Sequence, residues 1–167
     1  MKTALCAATV LTILAVLARP TGLAEESKKP TTIAQQSNGD PTTKAILALT
    51  PDKIRWFTPS YYTDGRQRAQ LFGNSSEGGN WIDRVKIPAG GRALAHTHPQ
   101  DELVTVIEGT WYIGEGAKFD AARLIGYPPG SFIVIPAGVA HFVAAKESTA
   151  VVQLSGSAKF QTTYLEK

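Results

Sequence analysis

Short runs of β-branched and aromatic residues, each ended by a glycine or proline turn, dominate the chain after about residue 80. In NWIDRVKIPAGG, a period of two places Trp81, Asp83, Val85 and Ile87 on one face and Ile82, Arg84 and Lys86 on the other before the turn begins. The apolar run GSFIVIPAGVAHFVAA is interrupted by Pro136 and Gly138. Alternation with a period of two is typical of strands, and no segment sustains a helical period beyond a turn within residues 118–124. The pattern predicts an all-β sandwich or closed barrel.

The segment ELVTVIEGTWYIGEG, residues 102–116, has the composition of a β-hairpin with its turn near Glu108 and Gly109. Counting in twos from Glu102 places Val104, Val106 and Glu108 on the inner face of the strand. A bulge would reverse this assignment, because one extra residue moves every later side chain to the other face.

The first residues have the pattern of an export signal. Lys2 precedes a long uncharged apolar run, and the small residues Gly22 and Ala24 follow it. The run has signal-peptide length and is short for a membrane-spanning helix. We expect a signal peptide at residues 1–24, cleavage after Ala24, and a periplasmic or secreted protein without stable membrane insertion; an uncleaved anchor is the alternative. Residues 25–45 are polar and aperiodic, which predicts a flexible linker before a barrel at residues 46–167.

Cleavage would change the composition of the remaining chain. The only cysteine, Cys6, would be removed, so neither disulfides nor thiolate ligands could form. Lys2 and Arg19 are the only charged residues of the predicted signal, which leaves 15 of the 17 basic residues against all 14 acidic residues. This balance, with no basic run longer than Lys28-Lys29, argues against a nucleic-acid partner.

The three histidines of the chain have the spacing of a metal site. His96 and His98 are two residues apart, so a strand would present both on one face. Glu102 follows shortly afterwards, and His141 comes directly after another Pro-x-Gly turn. Neutral imidazoles with one carboxylate suit a divalent transition metal. Asp101 is the competing acid, but in a regular strand it would face away from Glu102.

These residues also match two motifs of a known family. GGRALAHTHPQDELVTVIEG resembles the first cupin motif, G-(x)5-H-x-H-(x)3-E-(x)6-G. GSFIVIPAGVAHFVAA resembles the second, G-(x)5-P-x-G-(x)2-H-(x)3-N, except that Ala145 stands at the final asparagine position. From about Trp81 to Val152 the chain is thus similar to small single-domain cupins, including secreted bacterial cupins of unassigned activity. The resemblance implies one jelly-roll β-barrel and a divalent metal ion, of Fe, Mn, Zn or Ni type, bound by His96, His98, Glu102 and His141.

Such a ligand set would determine which molecules the site accepts. Three neutral imidazoles and one carboxylate leave a divalent ion with a positive local charge and with one or two open coordination positions. A small anionic, oxygen-rich ligand would therefore be favoured. A redox-active ion would permit dioxygenase chemistry, and a Lewis-acid ion would permit isomerase or lyase chemistry. A non-catalytic metal-binding or small-ligand sensor cupin is the alternative.

Four further residues are candidates for the walls of the pocket. Trp111, Phe132 and Phe142 are aromatic residues near the motifs, and Gln153 is an amide within an apolar run. Packing within the barrel is the other interpretation of the aromatic residues, and an outward position is the alternative for Gln153. The aromatic segment IRWFTPSYY, residues 54–62, is a candidate contact of a homodimer.

Overall fold

The computed structural model describes residues 46–167, which form an almost entirely β-structured unit. Two 3-10 turns, Pro51–Lys53 and Ala121–Arg123, are the only helical elements in this part of the chain. The predicted signal peptide and linker lie outside the described residues. The strands are β1 (Gln67–Asn74), β2 (Gly78–Ile87), β3 (Arg92–Thr97), β4 (Glu102–Glu108), β5 (Trp111–Glu115), β6 (Ile125–Tyr127), β7 (Phe132–Ile135), β8 (His141–Ala144), β9 (Ala150–Gly156) and β10 (Thr163–Tyr164).

The ten strands form two antiparallel sheets of five strands each. One sheet has the order β1-β2-β9-β4-β7 and the other has the order β10-β3-β8-β5-β6. Strands that follow each other in the sequence, such as β4 and β5 or β7 and β8, therefore lie in different sheets. This alternation between two sheets is the arrangement of a jelly roll, and the predicted all-β jelly-roll fold is confirmed.

The predicted hairpin over residues 102–116 is wrong. β4 pairs with β7 and β9, whereas β5 pairs with β6 and β8, so the chain passes from one sheet to the other near Gly109. Gly109 has a φ of 65°, and a Cβ atom at this position would clash with the carbonyl oxygen of Thr149. Only glycine adopts this conformation there without strain. A glycine between two alternating segments is thus compatible with either a hairpin or a crossover.

The hydrophobic core lies on the inner faces of the strands. Burial alternates along β2 from Trp81 to Ile87, as the sequence pattern predicts. On β4, Val104 and Val106 are buried, but a register shift after Val106 leaves Glu108 exposed. Each large apolar side chain that is fully buried stabilises the fold by about 1.5–3 kcal/mol. The core thus supplies the apolar framework in which a few polar side chains are held.

None of the helical elements among residues 46–167 has the length and apolar character that a membrane span requires.

Candidate metal centre

The structure brings His96, His98, Glu102 and His141 together at one end of the barrel interior. His96 lies on β3 directly opposite His141 on β8, and His98 follows one residue beyond the end of β3. The ring centroids of His96 and His141 are 4.3 Å apart, and those of His96 and His98 are 5.0 Å apart. One candidate ligand nitrogen from each histidine lies within 4.8 Å of the others. This spacing is compatible with one ion bound by all three imidazoles.

Glu102 reaches the three histidines from the facing sheet. Its Oε2 atom lies 3.5 Å from Nε2 of His98 and 3.4 Å from Nε2 of His141. Since Glu102 is the first residue of β4 and the histidines belong to the β3–β8 region, the group spans both sheets. All four residues are buried, with at most 7% of their surface exposed. We call these four residues the metal cradle.

Backbone carbonyl groups determine which ring nitrogen of each histidine faces inward. Nδ1 of His96 lies 2.6 Å from the Leu94 oxygen, and Nδ1 of His98 lies 2.7 Å from the Gln161 oxygen. His141 is oriented in the same way, with its Nδ1 atom 3.0 Å from the oxygen of Val139. A carbonyl can only accept, so Nδ1 carries the proton and Nε2 of a neutral ring keeps its lone pair.

These lone pairs have no partner in the described part of the chain. Nε2 of His98 and Nε2 of His141 are buried, and neither has a hydrogen-bond partner among residues 46–167. A buried polar atom without a partner usually costs about 1–3 kcal/mol. A metal ion would satisfy both atoms at once, and the donor set fits a divalent transition metal.

Burial also prepares the imidazoles for a metal ion by keeping them neutral. Burial lowers the pKa of His96 to about 4, and the neighbouring His141 lowers it further. The pKa of His98 is lowered as well, again chiefly by burial. Burial by itself would raise the pKa of Glu102, but the contacts with His141 and His98 outweigh it and lower this pKa. Near neutral pH the cradle therefore offers lone pairs and one carboxylate.

The competing acid Asp101 has a separate role. Its Oδ1 atom accepts a hydrogen bond of 2.9 Å from the backbone N–H of Ala137. The backbone N–H of Gly138 also donates to the oxygen of His98, at 2.8 Å. These two bonds connect the turn after β3 to the turn before β8. Asp101 thus supports the loops that position the histidines, while Glu102 faces them.

A small cavity extends from the metal cradle. Its enclosed part has a volume of about 40 Å³, which is enough for several ordered waters at roughly 10–15 Å³ each, and it is continuous with open solvent. Val85, Ala93 and Val143 form its apolar wall, and Trp111, one of the four candidate wall residues, also lines it. Nε1 of Trp111 is buried without a hydrogen-bond partner in the described residues. Among residues 46–167, the cavity lining therefore includes one residue with an unpaired N–H donor, Trp111, and two with unpaired acceptor nitrogens, His98 and His141.

The other three predicted wall residues lie outside this cavity. Phe132 is 64% exposed on β7. Phe142 follows His141 on β8, so it points to the opposite face, where its ring packs 5.1 Å from that of Phe119. Gln153 lies between two buried residues of β9 and accepts a hydrogen bond of 3.4 Å from Arg84. Its neighbour Leu154 lines the cavity in its place.

Five wall residues outside strands β1 to β9 were not anticipated as such from the sequence. They come from the segment before β1 and from the segment after β9: Tyr62, Arg66, Phe160, Thr162 and Tyr164. In the second segment the period of two was a usable signal, because residues 160, 162 and 164 share a face. Tyr62 belongs to the aromatic segment predicted as a dimer contact, and it also lines the cavity. No local pattern identifies Arg66.

Comparisons with known proteins agree with the fold. Residues 83–155 match the family model of the cupin domain. A search of curated proteins finds no match. Among solved structures, the chain is similar to the polyketide cyclase RemF from Streptomyces resistomycificus, with a TM-score of 0.62 and 13% identity over 74% of this chain and 87% of that chain.

Two further solved structures show the same likeness. A cupin 2 conserved barrel domain protein from Rhodopseudomonas palustris has a TM-score of 0.53 and 13% identity, covering 69% of this chain and 81% of that chain. A sugar phosphate isomerase of the cupin superfamily from Silicibacter pomeroyi has a TM-score of 0.52 and 24% identity, covering 66% and 74%. At these identities the likeness concerns the fold. The family match covers residues 83–155, and the jelly-roll topology and the buried histidine cluster of the described residues accompany this similarity to cupins.

Proposed function

We propose that the barrel binds one divalent metal ion through His96, His98, Glu102 and His141, and that the bound ion holds a small anionic, oxygen-rich molecule for chemical conversion. The observation that carries this proposal is the orientation of the imidazoles. Each Nδ1 atom faces a backbone carbonyl, and the Nε2 atoms of His98 and His141 are buried without a partner in the described residues. A bound metal ion would offset the free-energy cost of leaving these buried atoms without a partner.

The charge of the cradle favours an anionic ligand. Three neutral imidazoles and one carboxylate compensate only half the charge of a divalent ion. Four protein ligands also leave positions open on a five- or six-coordinate ion. When bound, the ion would supply Lewis acidity, or electron transfer if it is redox-active. The chain itself excludes water with the apolar wall of Val85, Ala93 and Val143, and orients ligand oxygens with the Trp111 N–H group.

Metal analysis tests the first half of the proposal. The purified chain is reconstituted separately with Fe(II), Mn(II), Zn(II) and Ni(II), desalted, and analysed for bound metal. We expect about one ion per chain for the wild type and a large loss of binding for His141→Ala. Gln153→Ala is the matched control, because Gln153 lies on a barrel strand but outside the cavity. Less than about a tenth of an ion per chain with every metal would contradict the proposal.

Turnover assays test the second half. The iron-loaded chain is screened for oxygen uptake with 1,2-diols, catechols and 2-oxo acids, and the other metal forms are screened by proton exchange and isomerisation. Turnover that disappears in His141→Ala supports an enzyme. Tight binding of such molecules without turnover by any metal form would instead support the non-catalytic sensor function.

We also infer that the chain is exported. The support is the positively charged start, the apolar run and the small residues before Glu25. Expression of the full chain in a bacterial host, followed by fractionation and N-terminal sequencing, tests this inference. A periplasmic protein that begins at Glu25 is expected. An intact N-terminus in the membrane fraction would instead support an uncleaved anchor.

A further inference from the structure

The mouth of the cavity contains a buried arginine that the cradle does not use. Arg66 precedes β1, is 8% exposed, and lines the same cavity as the three histidines. Its guanidinium lies 4.2 Å from the ring centroid of Tyr62, which also lines the cavity. A cation held beside a metal cavity with little exposure needs a partner or a ligand.

Asp64 holds one edge of this guanidinium. Nε of Arg66 donates to both carboxylate oxygens of Asp64, at 2.9 and 2.8 Å. Asp64 does not line the cavity, and 27% of its side chain is exposed. The ion pair therefore orients Arg66 from outside and compensates part of its charge. The two terminal nitrogens, Nη1 and Nη2, form the remaining edge.

The edge formed by Nη1 and Nη2 of Arg66 makes only part of the hydrogen bonds that it could make. Nη2 donates to the hydroxyl oxygen of Tyr164 at 2.9 Å, and Nη1 makes no hydrogen bond to another described residue. Because the Tyr164 oxygen accepts from Arg66, its own O–H group is still able to donate. The Tyr164 ring is 5.5 Å from that of His96, so this edge is adjacent to the cradle.

A nearby arginine shows what a purely structural role looks like. Arg68 donates through Nε to Oδ2 of Asp83 at 2.7 Å, and its Nη2 atom contacts the same oxygen at 2.6 Å. Nη2 also donates to Ser75, and the guanidinium lies over the ring of Phe160. Arg68 does not line the cavity. The two arginines thus differ in whether their donors face the barrel wall or the cavity.

We propose that Arg66 and Tyr164 form a second anion subsite, which binds a carboxylate at the outer end of a molecule whose inner end is held by the metal ion. The inference rests on the proposed function and extends it to a dianionic substrate class. The fork of N–H groups on arginine matches the two oxygens of a carboxylate. Because Asp64 already compensates part of the charge, a singly charged carboxylate suits the subsite better than a dianionic phosphate. The proximity of Tyr164 to His96 favours a short molecule, of about four or five carbons.

Paired hydroxy acids test this subsite. Calorimetry on the zinc-loaded chain compares 2-hydroxyglutarate with 2-hydroxypentanoate, and malate with 2-hydroxybutanoate. Within each pair the metal-chelating end is identical and only the outer carboxylate differs. We expect the wild type to bind the better dicarboxylate at least about 10-fold more tightly than its partner, as expected for charge-assisted hydrogen bonds. Arg66→Gln should abolish this preference, and its binding of the monocarboxylate should stay within about 2-fold of wild type.

Two other variants complete the experiment. Arg84→Gln is the matched control, because Arg84 lies on β2, contacts Gln153 and does not line the cavity; it should keep the preference. Tyr164→Phe keeps the ring beside His96 and removes the hydroxyl, so the preference should fall by about 3-fold or more. This variant decides the matter if Arg66→Gln does not fold or does not bind metal.

The outcomes separate the two proposals. Equal binding of each pair by the wild type, or a preference that survives in Arg66→Gln or unchanged in Tyr164→Phe, would overturn the subsite and leave the metal proposal standing. If none of the four acids binds the zinc-loaded wild type, the subsite is overturned as well, while the metal analysis described above still decides the metal proposal.

Discussion

The barrel buries two groups of polar side chains that differ in how their hydrogen-bonding capacity is used. In the first group, Arg68 and Asp83 neutralise each other at 2.6 Å, with side chains only 7% and 1% exposed. In the metal cradle, the Nε2 atoms of His98 and His141 have no partner in the described residues. Both groups are buried, so burial does not distinguish function from structure. Unfilled capacity alone does not distinguish them either, because Oδ1 of Asp83 is also buried without a hydrogen-bond partner in the described residues. The difference is that, of the two groups, only the cradle lines a cavity in which a ligand could fill this capacity.

The two groups share one wall residue. The ring of Phe160 lies 4.4 Å from that of His98 and 5.0 Å from the guanidinium of Arg68. It also packs against Trp81 at 5.3 Å. A change in one group can therefore reach the other only through contacts of this kind, which makes their independence testable.

The largest expected effect is the loss of the buried ion pair. Asp83→Asn leaves the Arg68 charge without compensation and should lower the free energy of unfolding by about 3–5 kcal/mol. Urea unfolding of the metal-free protein at pH 7 measures this. Asp52→Asn is the control, since the exposed pair of Asp52 with Lys53 should change stability little. If the ion pair is purely structural, the folded Asp83→Asn variant should still bind one metal ion. Loss of metal binding without loss of stability would show that the ion pair is part of the metal site.

Removing a cradle histidine should have the opposite effects on stability and metal binding: a small loss of stability and a large loss of metal affinity. His98→Ala should weaken metal binding by at least about 100-fold, since a ligand matters at least as much as the groups that orient it. The stability of the metal-free form should fall by less than in Asp83→Asn, because no buried charge is left without a partner. Competition with a chelator measures the affinity, and urea unfolding measures the stability. If His98→Ala and Asp83→Asn lost the same amount of stability, the cradle and the ion pair would not differ in their contribution to folding.

The pH dependence of the free energy of unfolding of the metal-free protein should reflect the cradle histidines alone. The pKa of His96 is about 4 in the folded chain, against an ordinary value of 6.5. Below pH 6.5 the unfolded chain therefore binds more protons, so stability is complete above pH 6.5 and declines as the pH falls toward about 4. His96 contributes at most about 1.4 kcal/mol per pH unit, and His98 shifts in the same direction.

Urea unfolding from pH 7.5 to 5.0 measures this slope above the range in which carboxyl groups titrate. His96→Gln should reduce it, while Asp52→Asn should leave it unchanged. A flat profile for the wild type would show that the imidazoles are not held neutral by the fold.

The smallest expected effect concerns the shared wall residue. Phe160→Leu removes the ring contacts with His98 and Trp81 and should cost about 1 kcal/mol of stability. Metal affinity should fall only slightly, because Phe160 offers no ligand atom. A double-mutant cycle with His98→Ala, read by urea unfolding, measures the coupling. A coupling energy near zero would show that Phe160 does not connect the two groups.

Much of the site could be predicted from the sequence, because it depends on local rules. The two-residue spacing of His96 and His98 and the opposite parity of Asp101 and Glu102 both follow from strand geometry. The all-β fold follows from the same period. Phe142 and Gln153 could have been placed outside the cavity by the same parity rule, since their neighbours His141 and Leu154 point inward.

The remaining features depend on contacts that no local pattern encodes. The crossover at Gly109 uses the same turn chemistry as a hairpin, so only the pairing of β4 with β9 distinguishes them. Asp64, two residues earlier in the chain, and Tyr164 both orient Arg66, and the contact with Tyr164 depends on the closed barrel. The exposure of Glu108 depends on a bulge, which alternation alone does not reveal.

The hydrogen bond between Arg66 and Tyr164 joins residues 98 positions apart and has a consequence for the order of folding. Contacts this distant in sequence form late, because the intervening chain must first lose most of its freedom. We therefore expect the mouth of the cavity to close only after the sheets have assembled, so that a partly folded chain would have a cradle without its outer wall. A molecule that bridges both ends of the cavity would bind the finished barrel alone, so its binding would serve as a kinetic marker of the last step to the native state.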